Sequence, residues 1–284
     1  IPLGHLDEKL ISISTDGDGY NTLVTGLPSV GKSSAIAIPA AMQFGYAGIS
    51  KKTGKPTFNG SVFALDYKGD ISLETLKAGR HIKFFEPECP ETSCHFNPFR
   101  GLLDMEPDFQ RDLVEKLADI IIPEEKRSSG DNYWRDTAID FFCGACFLLL
   151  SQNPNITFPD VVHYLLHTNV IDLIKSGCTC ESEICQEYLS AYYGNNEKNI
   201  TGAMSALIKK IRGFSKQSLY TLLDGRGDCI SVDTLSKGYD VYIRVSQEKK
   251  TLYYSIISVI TMQFLDGFKS RGEGAKARKK LRPV

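Results

Sequence analysis

One short segment near the start of the chain combines two glycines, a lysine and a serine at a spacing that suits a phosphate group. Residues 26–33 read Gly-Leu-Pro-Ser-Val-Gly-Lys-Ser and match the pattern G-x-x-x-x-G-K-[ST] at every fixed position. Gly26 and Gly31 permit backbone angles that other residues resist, so that consecutive N–H groups can point inward around a phosphate. The segment therefore predicts a nucleotide-binding loop.

The side chains of this loop have distinct expected roles. The Lys32 ammonium should reach the β- and γ-phosphates, and the Ser33 hydroxyl should ligate Mg²⁺. ATP and Mg²⁺ are the expected cofactors, although the loop itself does not encode a choice between adenine and guanine. The residues predicted to bind the nucleotide are Gly26, Leu27, Pro28, Ser29, Val30, Gly31, Lys32, Ser33 and Ser34.

Hydrolysis requires a further acidic group. In this chemistry a carboxylate after a hydrophobic strand holds Mg²⁺ through water. Asp66 ends the predicted strand 61–66 and is the local candidate, which makes Lys32 and Asp66 the expected catalytic residues. The alternative is that Asp66 caps the loop that follows the strand, and chemistry alone does not choose between the two interpretations.

The elements around the loop alternate between strands and helices. The predicted segments are strands at 20–25, 61–66, 81–85 and 240–245, and helices at 32–43, 71–78 and 250–268, with a surface loop at 50–60. Such alternation predicts an α/β fold with a parallel, doubly wound sheet. The loop at 26–33 then lies between a strand and a helix, as its mechanics require.

A long stretch in the middle of the chain has a different character. Apolar residues recur at helical spacing over 107–122, 132–151, 158–168, 181–193 and 196–214. Since no alternating strand pattern interrupts them, we predict an all-helical insertion over residues 105–224.

Composition limits the class of protein. Apolar residues make up 42% of the 284 residues and charged residues 24%, which excludes a disordered chain or a fibre. The net charge of −1 gives no general affinity for nucleic acid. A local patch would have to supply it, and the basic tail from Lys269 to Arg282 is the candidate, with a solvated loop as the alternative. Eight dispersed cysteines favour a reducing compartment.

Several motifs in a fixed order carry a more particular resemblance. The set comprises Gly26–Ser33, Ile38-Pro39, Asp66-Tyr67-Lys68-Gly69-Asp70, Phe85-Glu86-Pro87, Asn97-Pro98-Phe99, and Trp134 with Ala138. In this order the motifs resemble the TraG/TraD-type coupling proteins of type IV secretion and conjugation, over nearly the whole chain. The phosphate loop is common to many ATPases, whereas the D-x-K-G and N-P-F segments are much more specific.

The resemblance implies a fold and a function. It implies a RecA-like nucleotide-binding domain at 1–104 and 225–284, with the all-α domain 105–224 inserted in it. Such proteins are membrane-anchored, homo-hexameric ATPases at the cytoplasmic face of the bacterial membrane. They recruit DNA with its relaxase, or protein cargo, and pass it to the secretion channel. Asp66 and Lys68 match a segment that lies near the nucleotide without being the Walker B acid.

The chain departs from this family in two places, and other functions remain open. The strand with the paired Walker B acids should begin after Val284, and the amino-terminal membrane helices are missing. We therefore expect a fragment that hydrolyses ATP weakly or not at all. The alternative functions are a related RecA-like DNA translocase or secretion ATPase, and a nucleotide-gated cargo adaptor with little turnover.

Other residue clusters have a structural and a functional interpretation. Cys143 and Cys146 have redox or zinc spacing, but inside a helical run they are better interpreted as core residues. His163 and His167 could form a zinc site with the cysteines at 178, 180 and 185, for which the spacing is irregular. Trp134 is interpreted as a core anchor and not as a base-stacking residue. Arg135 and Arg226 could act on a neighbouring subunit's nucleotide, although solvated side chains are the simpler interpretation.

Overall fold

The computed structural model describes residues 2–6, 9–12, 23–25, 27, 30–124 and 131–271. They divide into two compact units, the first comprising residues 1–94, 230–250 and 264–284 and the second comprising residues 95–229 and 251–263. The strands are β1 (Pro2–Leu6), β2 (Lys9–Ser12), β3 (Tyr46–Ile49), β4 (Pro56–Phe58), β5 (Phe63–Asp66), β6 (Ile82–Phe85) and β7 (Asp240–Arg244). The helices are α1 (Ile38–Gln43), α2 (Asp70–Lys77), α3 (Pro107–Ile121), α4 (Asp131–Gln152), α5 (Phe158–His167), α6 (Val170–Thr179), α7 (Glu183–Leu189), α8 (Glu197–Ile211), α9 (Gln217–Leu222), α10 (Val232–Ser236) and α11 (Tyr254–Arg271).

A parallel three-stranded sheet forms the centre of the first unit. Its order is β5-β7-β6, with Phe63 opposite Val241 and Phe85 opposite Ile243. The middle strand β7 is buried along its first four residues, as expected of a parallel strand that is covered on both faces. The predicted α/β fold with a parallel sheet is confirmed, and the predicted strands 61–66, 81–85 and 240–245 correspond to β5, β6 and β7.

A buried ion pair fixes the start of the central strand. The Arg80 guanidinium donates two hydrogen bonds to the Asp240 carboxylate, at 2.5 and 2.8 Å, and both side chains are almost fully buried. Arg80 also donates to the carbonyl oxygens of Phe44 and Gly60, and Asp240 accepts from the Val62 N–H. Because each charge has a partner and further hydrogen bonds, the pair tolerates burial and links three loops to one end of the sheet.

Two sequence predictions in this unit differ from the structure. Of the surface loop predicted at 50–60, residues 50–55 form the turn of an antiparallel hairpin, whereas residues 56–58 form strand β4, which pairs with β3. These short strands carry too few alternating residues to be recognised. Of the strand predicted at 20–25, residues 23–25 form no strand and Leu23 is 87% exposed, while residues 20–22 lie outside the described residues. An apolar run becomes a strand only where a ladder partner exists, and no described strand pairs with it.

The second unit is helical and packs around α4. Among the described residues of α4, the buried hydrophobic side chains are Ala138, Phe141, Phe142, Cys143, Ala145, Cys146, Phe147 and Leu148. The Phe158 ring of α5 packs edge-on against Phe99 and Phe214 and tilted against Phe142. The described residues between 105 and 224 form helices and turns without a strand; the boundaries of an inserted domain at 105 and 224 stay a prediction.

Cys143 and Cys146 lie in this helical core, as predicted. Both are fully buried, and burial raises the pKa of each thiol above its ordinary value of 9.0. Their thiolates are therefore suppressed, which makes them inert packing residues. Trp134 lies against Gly202 of α8, where an added Cβ would come within 2.5 Å of the indole ring. No helix within the described ranges combines the length and apolar character needed to cross a membrane.

Candidate nucleotide-binding site

The described part of the phosphate loop consists of Leu27 and residues 30–34. Three predicted binding residues, Gly26, Pro28 and Ser29, lie outside the described residues. Gly31 has φ +84°, a left-handed conformation that glycine adopts without the steric cost of a Cβ. The motif therefore needs a glycine directly before Lys32.

A helix begins directly after this glycine. The Ala35 N–H donates to the Gly31 carbonyl at 2.8 Å, so residues 32–34 form the first helical turn. The N–H groups of a first turn have no acceptor within their own helix, and they lie at the positive end of the helix dipole. This is the arrangement by which helix N-termini bind phosphate.

The helix is widened before it continues as α1. Ser33–Ala37 form a π-helical turn, and the Ile38 N–H donates to the Ser33 carbonyl. Pro39 lacks an N–H, and its ring would collide with the carbonyl oxygen four residues earlier, which accounts for the wider turn. The Ile38-Pro39 motif therefore shapes the helix that carries the loop.

The Lys32 side chain points toward the start of the loop. The Lys32 Nζ donates to the Leu27 carbonyl oxygen at 2.6 Å, and the Ser34 hydroxyl donates to the Gly31 carbonyl oxygen at 3.2 Å. A cation, first-turn N–H groups and the Ser33 hydroxyl thus occur within one turn of chain. This donor set fits the phosphates and Mg²⁺ of a bound nucleotide.

Asp66 is committed to the backbone of the loop that follows β5. It is 2% exposed, and its two carboxylate oxygens accept from the Gly69 N–H at 2.9 Å and the Ser72 N–H at 2.8 Å. Its hydrogen bonds involve neither Lys32 nor Ser33. The geometry favours the capping interpretation of Asp66 over that of a metal-holding acid.

Charged residues to which the sequence analysis assigned no role in a site meet at the carboxyl ends of the parallel strands. Arg244, at the end of β7, lies 3.3 Å from the Glu86 carboxylate after β6. Its guanidinium is close to Gly69, where an added Cβ would come within 3.0 Å of a guanidinium nitrogen. Parallel strands bring their carboxyl ends to one edge, where α/β proteins bind ligands. In the sequence, the signal that could have identified this cluster was the presence of charged residues at or directly after the ends of the predicted strands.

A second carboxylate ties two of these loops together. Glu88, after β6, accepts from the Ser246 N–H at 2.7 Å and pairs with Lys249 at 2.9 Å. Although burial by itself raises the pKa of Glu88, the hydrogen bonds from Ser246 and Lys249 bring it below the ordinary value of 4.5. Glu88 is therefore ionised at neutral pH, which keeps the loop after β7 attached to the loop after β6.

The two arginines considered as candidates for acting on a neighbouring subunit's nucleotide, Arg135 and Arg226, both lie in the second unit. Arg135 donates to the Ile122 carbonyl oxygen and pairs with Asp119, which gives it a structural role within the second unit. Arg226 is exposed and borders a cavity of about 430 Å³ in that unit. The same cavity is lined by Asn97 and Phe99 of the N-P-F motif.

Among the described residues no group of three His, Cys, Asp or Glu side chains is placed to hold a metal ion. Residues 272–282 of the basic tail lie outside the described residues.

Comparison with known proteins connects this site to one family. The model of the type IV secretory system conjugative DNA transfer family matches residues 13–281. Among solved structures, the chain is similar to the bacterial conjugative coupling protein TrwBdeltaN70 in its trigonal form with sulphate. The TM-score is 0.51 and the identity 16%, covering 76% of this chain and 54% of that chain.

A second solved structure, plasmid coupling protein TrwB with the non-hydrolysable GTP analogue GDPNP, gives a TM-score of 0.50 at 14% identity and covers 84% of this chain and 61% of that chain. At these identities the likeness concerns the fold, and the chain spans between half and two thirds of the length of either structure. No curated protein matches the chain. Because one family model spans nearly all residues and the fold agrees with it, the chain belongs to the type IV secretory system conjugative DNA transfer family.

Proposed function

We propose that this protein is an ATP-binding and ATP-hydrolysing motor subunit, a coupling protein that recruits DNA–protein or protein substrates and delivers them to a type IV secretion channel. The observation that carries the proposal is the phosphate loop, in which Gly31, Lys32 and Ser33 stand at a helix start with Lys32 directed back over the loop. Membership of the conjugative DNA transfer family supplies the setting. The whole protein would act as a homo-hexamer at the cytoplasmic face of the membrane.

The residues of the loop would divide the binding of Mg·ATP among them. The first-turn N–H groups would surround the β-phosphate, Lys32 would neutralise the β- and γ-phosphates, and the Ser33 hydroxyl would ligate Mg²⁺. Bound ATP supplies a phosphoanhydride whose hydrolysis can drive movement of the substrate. In this proposal Lys32 is the catalytic residue, and Asp66 contributes by fixing the loop 67–70.

Nucleotide binding is tested by thermal unfolding with and without Mg·ATP. A ligand at 100 times its Kd stabilises the folded state by about 2.7 kcal/mol, so the melting temperature should rise. Lys32→Ala should abolish the rise, whereas Lys52→Ala, at an exposed turn of the β3–β4 hairpin, should leave it intact. An equal rise in the Lys32 variant would contradict the proposed loop.

The same assay separates the magnesium ligand from its neighbour. Ser33→Ala should bind ATP equally with and without Mg²⁺, because the hydroxyl that ligates the ion is gone. Ser34→Ala keeps its N–H and should retain the magnesium dependence. Loss of magnesium dependence in Ser34→Ala alone would move the metal ligand to that residue.

The motor function is tested by adding substrate. DNA binding whose affinity falls steeply with salt, together with stimulation of ATP turnover by DNA in the whole protein, would support a DNA-moving motor. Tight binding of a protein cargo without any stimulation of turnover would instead support a nucleotide-gated adaptor.

A further inference from the structure

Two histidines lie one helical turn apart on the exposed side of α5. His163 and His167 are both exposed, and their ring centroids are 4.5 Å apart with the ring planes at 46°. Residues four apart on a helix project from the same face. The two imidazoles therefore face the same volume of solvent.

The helix that carries the pair is held firmly in place. Its opposite side is buried through Phe158, Val161 and Leu165. Its first turn is closed by a capping box, in which the Thr157 hydroxyl accepts from the Asp160 N–H and the Asp160 carboxylate accepts from the Thr157 N–H. Because the backbone is fixed at both the start and the inner face, the spacing of the two Cα positions from which the rings project is set before any ligand arrives.

The ring nitrogens have no competing partner among the described residues. Within the described ranges, neither His163 nor His167 forms a hydrogen bond or an ion pair, and their contact is with each other. By contrast, His95 is engaged by Asp224 at 3.3 Å. A neutral imidazole with a free nitrogen is a preferred ligand of late first-row divalent metal ions.

We propose that His163 and His167 form a two-histidine binding site for a divalent transition-metal ion of the Ni²⁺, Cu²⁺ and Zn²⁺ class. With metal–nitrogen distances of about 2.0–2.1 Å at a tetrahedral angle, two ligand nitrogens lie about 3.3 Å apart. Ring nitrogens stand on the perimeter of the ring, so rings with centroids 4.5 Å apart can turn one nitrogen each toward a common ion. Histidines at this helical spacing supply two of the zinc ligands in H-E-x-x-H metalloenzymes.

The rest of the coordination shell is open to solvent. No third His, Cys, Asp or Glu completes a metal-binding group in the part of the chain that the structure describes, so water would occupy the remaining positions. The site differs from the zinc site considered from the sequence, because the cysteines at 178, 180 and 185 are not among its ligands. It also does not involve the phosphate loop, and its test is independent of nucleotide binding.

The test measures Ni²⁺ binding by calorimetry with the complete chain under reducing, nucleotide-free conditions. His163→Gln and His167→Gln should each weaken the tightest Ni²⁺ binding at least tenfold, since loss of even an outer-shell partner of a metal ligand costs about 10–100-fold. His81→Gln, at an exposed histidine of the first unit, is the matched control and should bind as the unaltered chain does. Equal affinities in all four proteins would overturn the proposal.

A spectroscopic measurement locates the ion directly. Paramagnetic Ni²⁺ added below one equivalent should broaden the imidazole resonances of His163 and His167 before those of the other three histidines. Broadening that begins at His81 or His95, or equally at all five histidines, would place the ion elsewhere and refute the site.

Discussion

The helical core around α4 and the carboxyl edge of the parallel sheet are held together by different forces. In the helical core, buried aromatic and aliphatic side chains contact one another, and Phe158 meets three other rings. At the sheet edge, carboxylates bind backbone N–H groups, as the buried Asp66 accepts from Gly69 and Ser72. Apolar packing is non-directional, whereas the carboxylates there fix the course of particular loops, as Glu88 does for the loops after β6 and β7.

The difference between polar contacts at the sheet edge and apolar contacts in the helical core matches what each region has to do. Loops that bind ligands need polar groups in defined positions, and an apolar core cannot provide them without leaving buried polar atoms unpaired. The helical core needs only volume and shape, and it tolerates changes that conserve both. Substitutions in the two regions should therefore change the free energy of unfolding by different amounts. They should also differ in whether that change depends on pH and in how far a conservative replacement reduces it.

The largest effect is expected in the helical core. Phe158→Ala should lower the free energy of unfolding by about 3–5 kcal/mol, because it removes a fully buried ring and leaves a cavity. Phe158→Leu should cost less, since much of the volume is kept. Urea denaturation followed by circular dichroism measures both. Phe109→Ala, at a residue that is 63% exposed, is the control and should change stability by less than about 0.5 kcal/mol.

An intermediate effect is expected for Asp66. Asp66→Ala leaves the Gly69 and Ser72 N–H groups without their acceptors, and it should cost about 1–3 kcal/mol. Asp66→Asn keeps one acceptor oxygen and should cost less. If Asp66 acted only as a catalytic acid, both variants would retain full stability to urea and lose only turnover. The exposed Glu91→Ala of the same unit controls for the loss of one negative charge.

The smallest effect is expected for Glu88, and it should depend on pH. Its pKa is lower in the folded protein than the ordinary 4.5, so its contribution is complete above that value and is lost as the pH falls through the lower folded pKa. Glu88→Gln should therefore cost about 0.5–1 kcal/mol at pH 7, and the difference from the unaltered chain should shrink in urea titrations at progressively lower pH. A difference that stays constant from neutral to acid pH would show that charge is not the cause.

Much of the chemistry could be predicted from local sequence. The phosphate loop is recognisable because its glycines, lysine and serine act within eight consecutive residues, and the order of motifs identified the family. The helices α3, α4, α5 and α8 were predicted because apolar spacing is preserved along each helix. Local signals of this kind survive without knowledge of distant partners.

The sequence by itself determined the phosphate-loop motif, the family and the main elements, while the tertiary structure decided which distant residues meet. The placement of β7 between β5 and β6, the pairing of Arg80 with Asp240 and the approach of Arg244 to Glu86 join segments far apart in the chain. The sequence also left Asp66 with two roles, and only its hydrogen bonds to Gly69 and Ser72 favoured one of them. The physical reason is that strand order and ion pairing depend on which surfaces can be buried together, and periodicity within one segment carries no information about its partner.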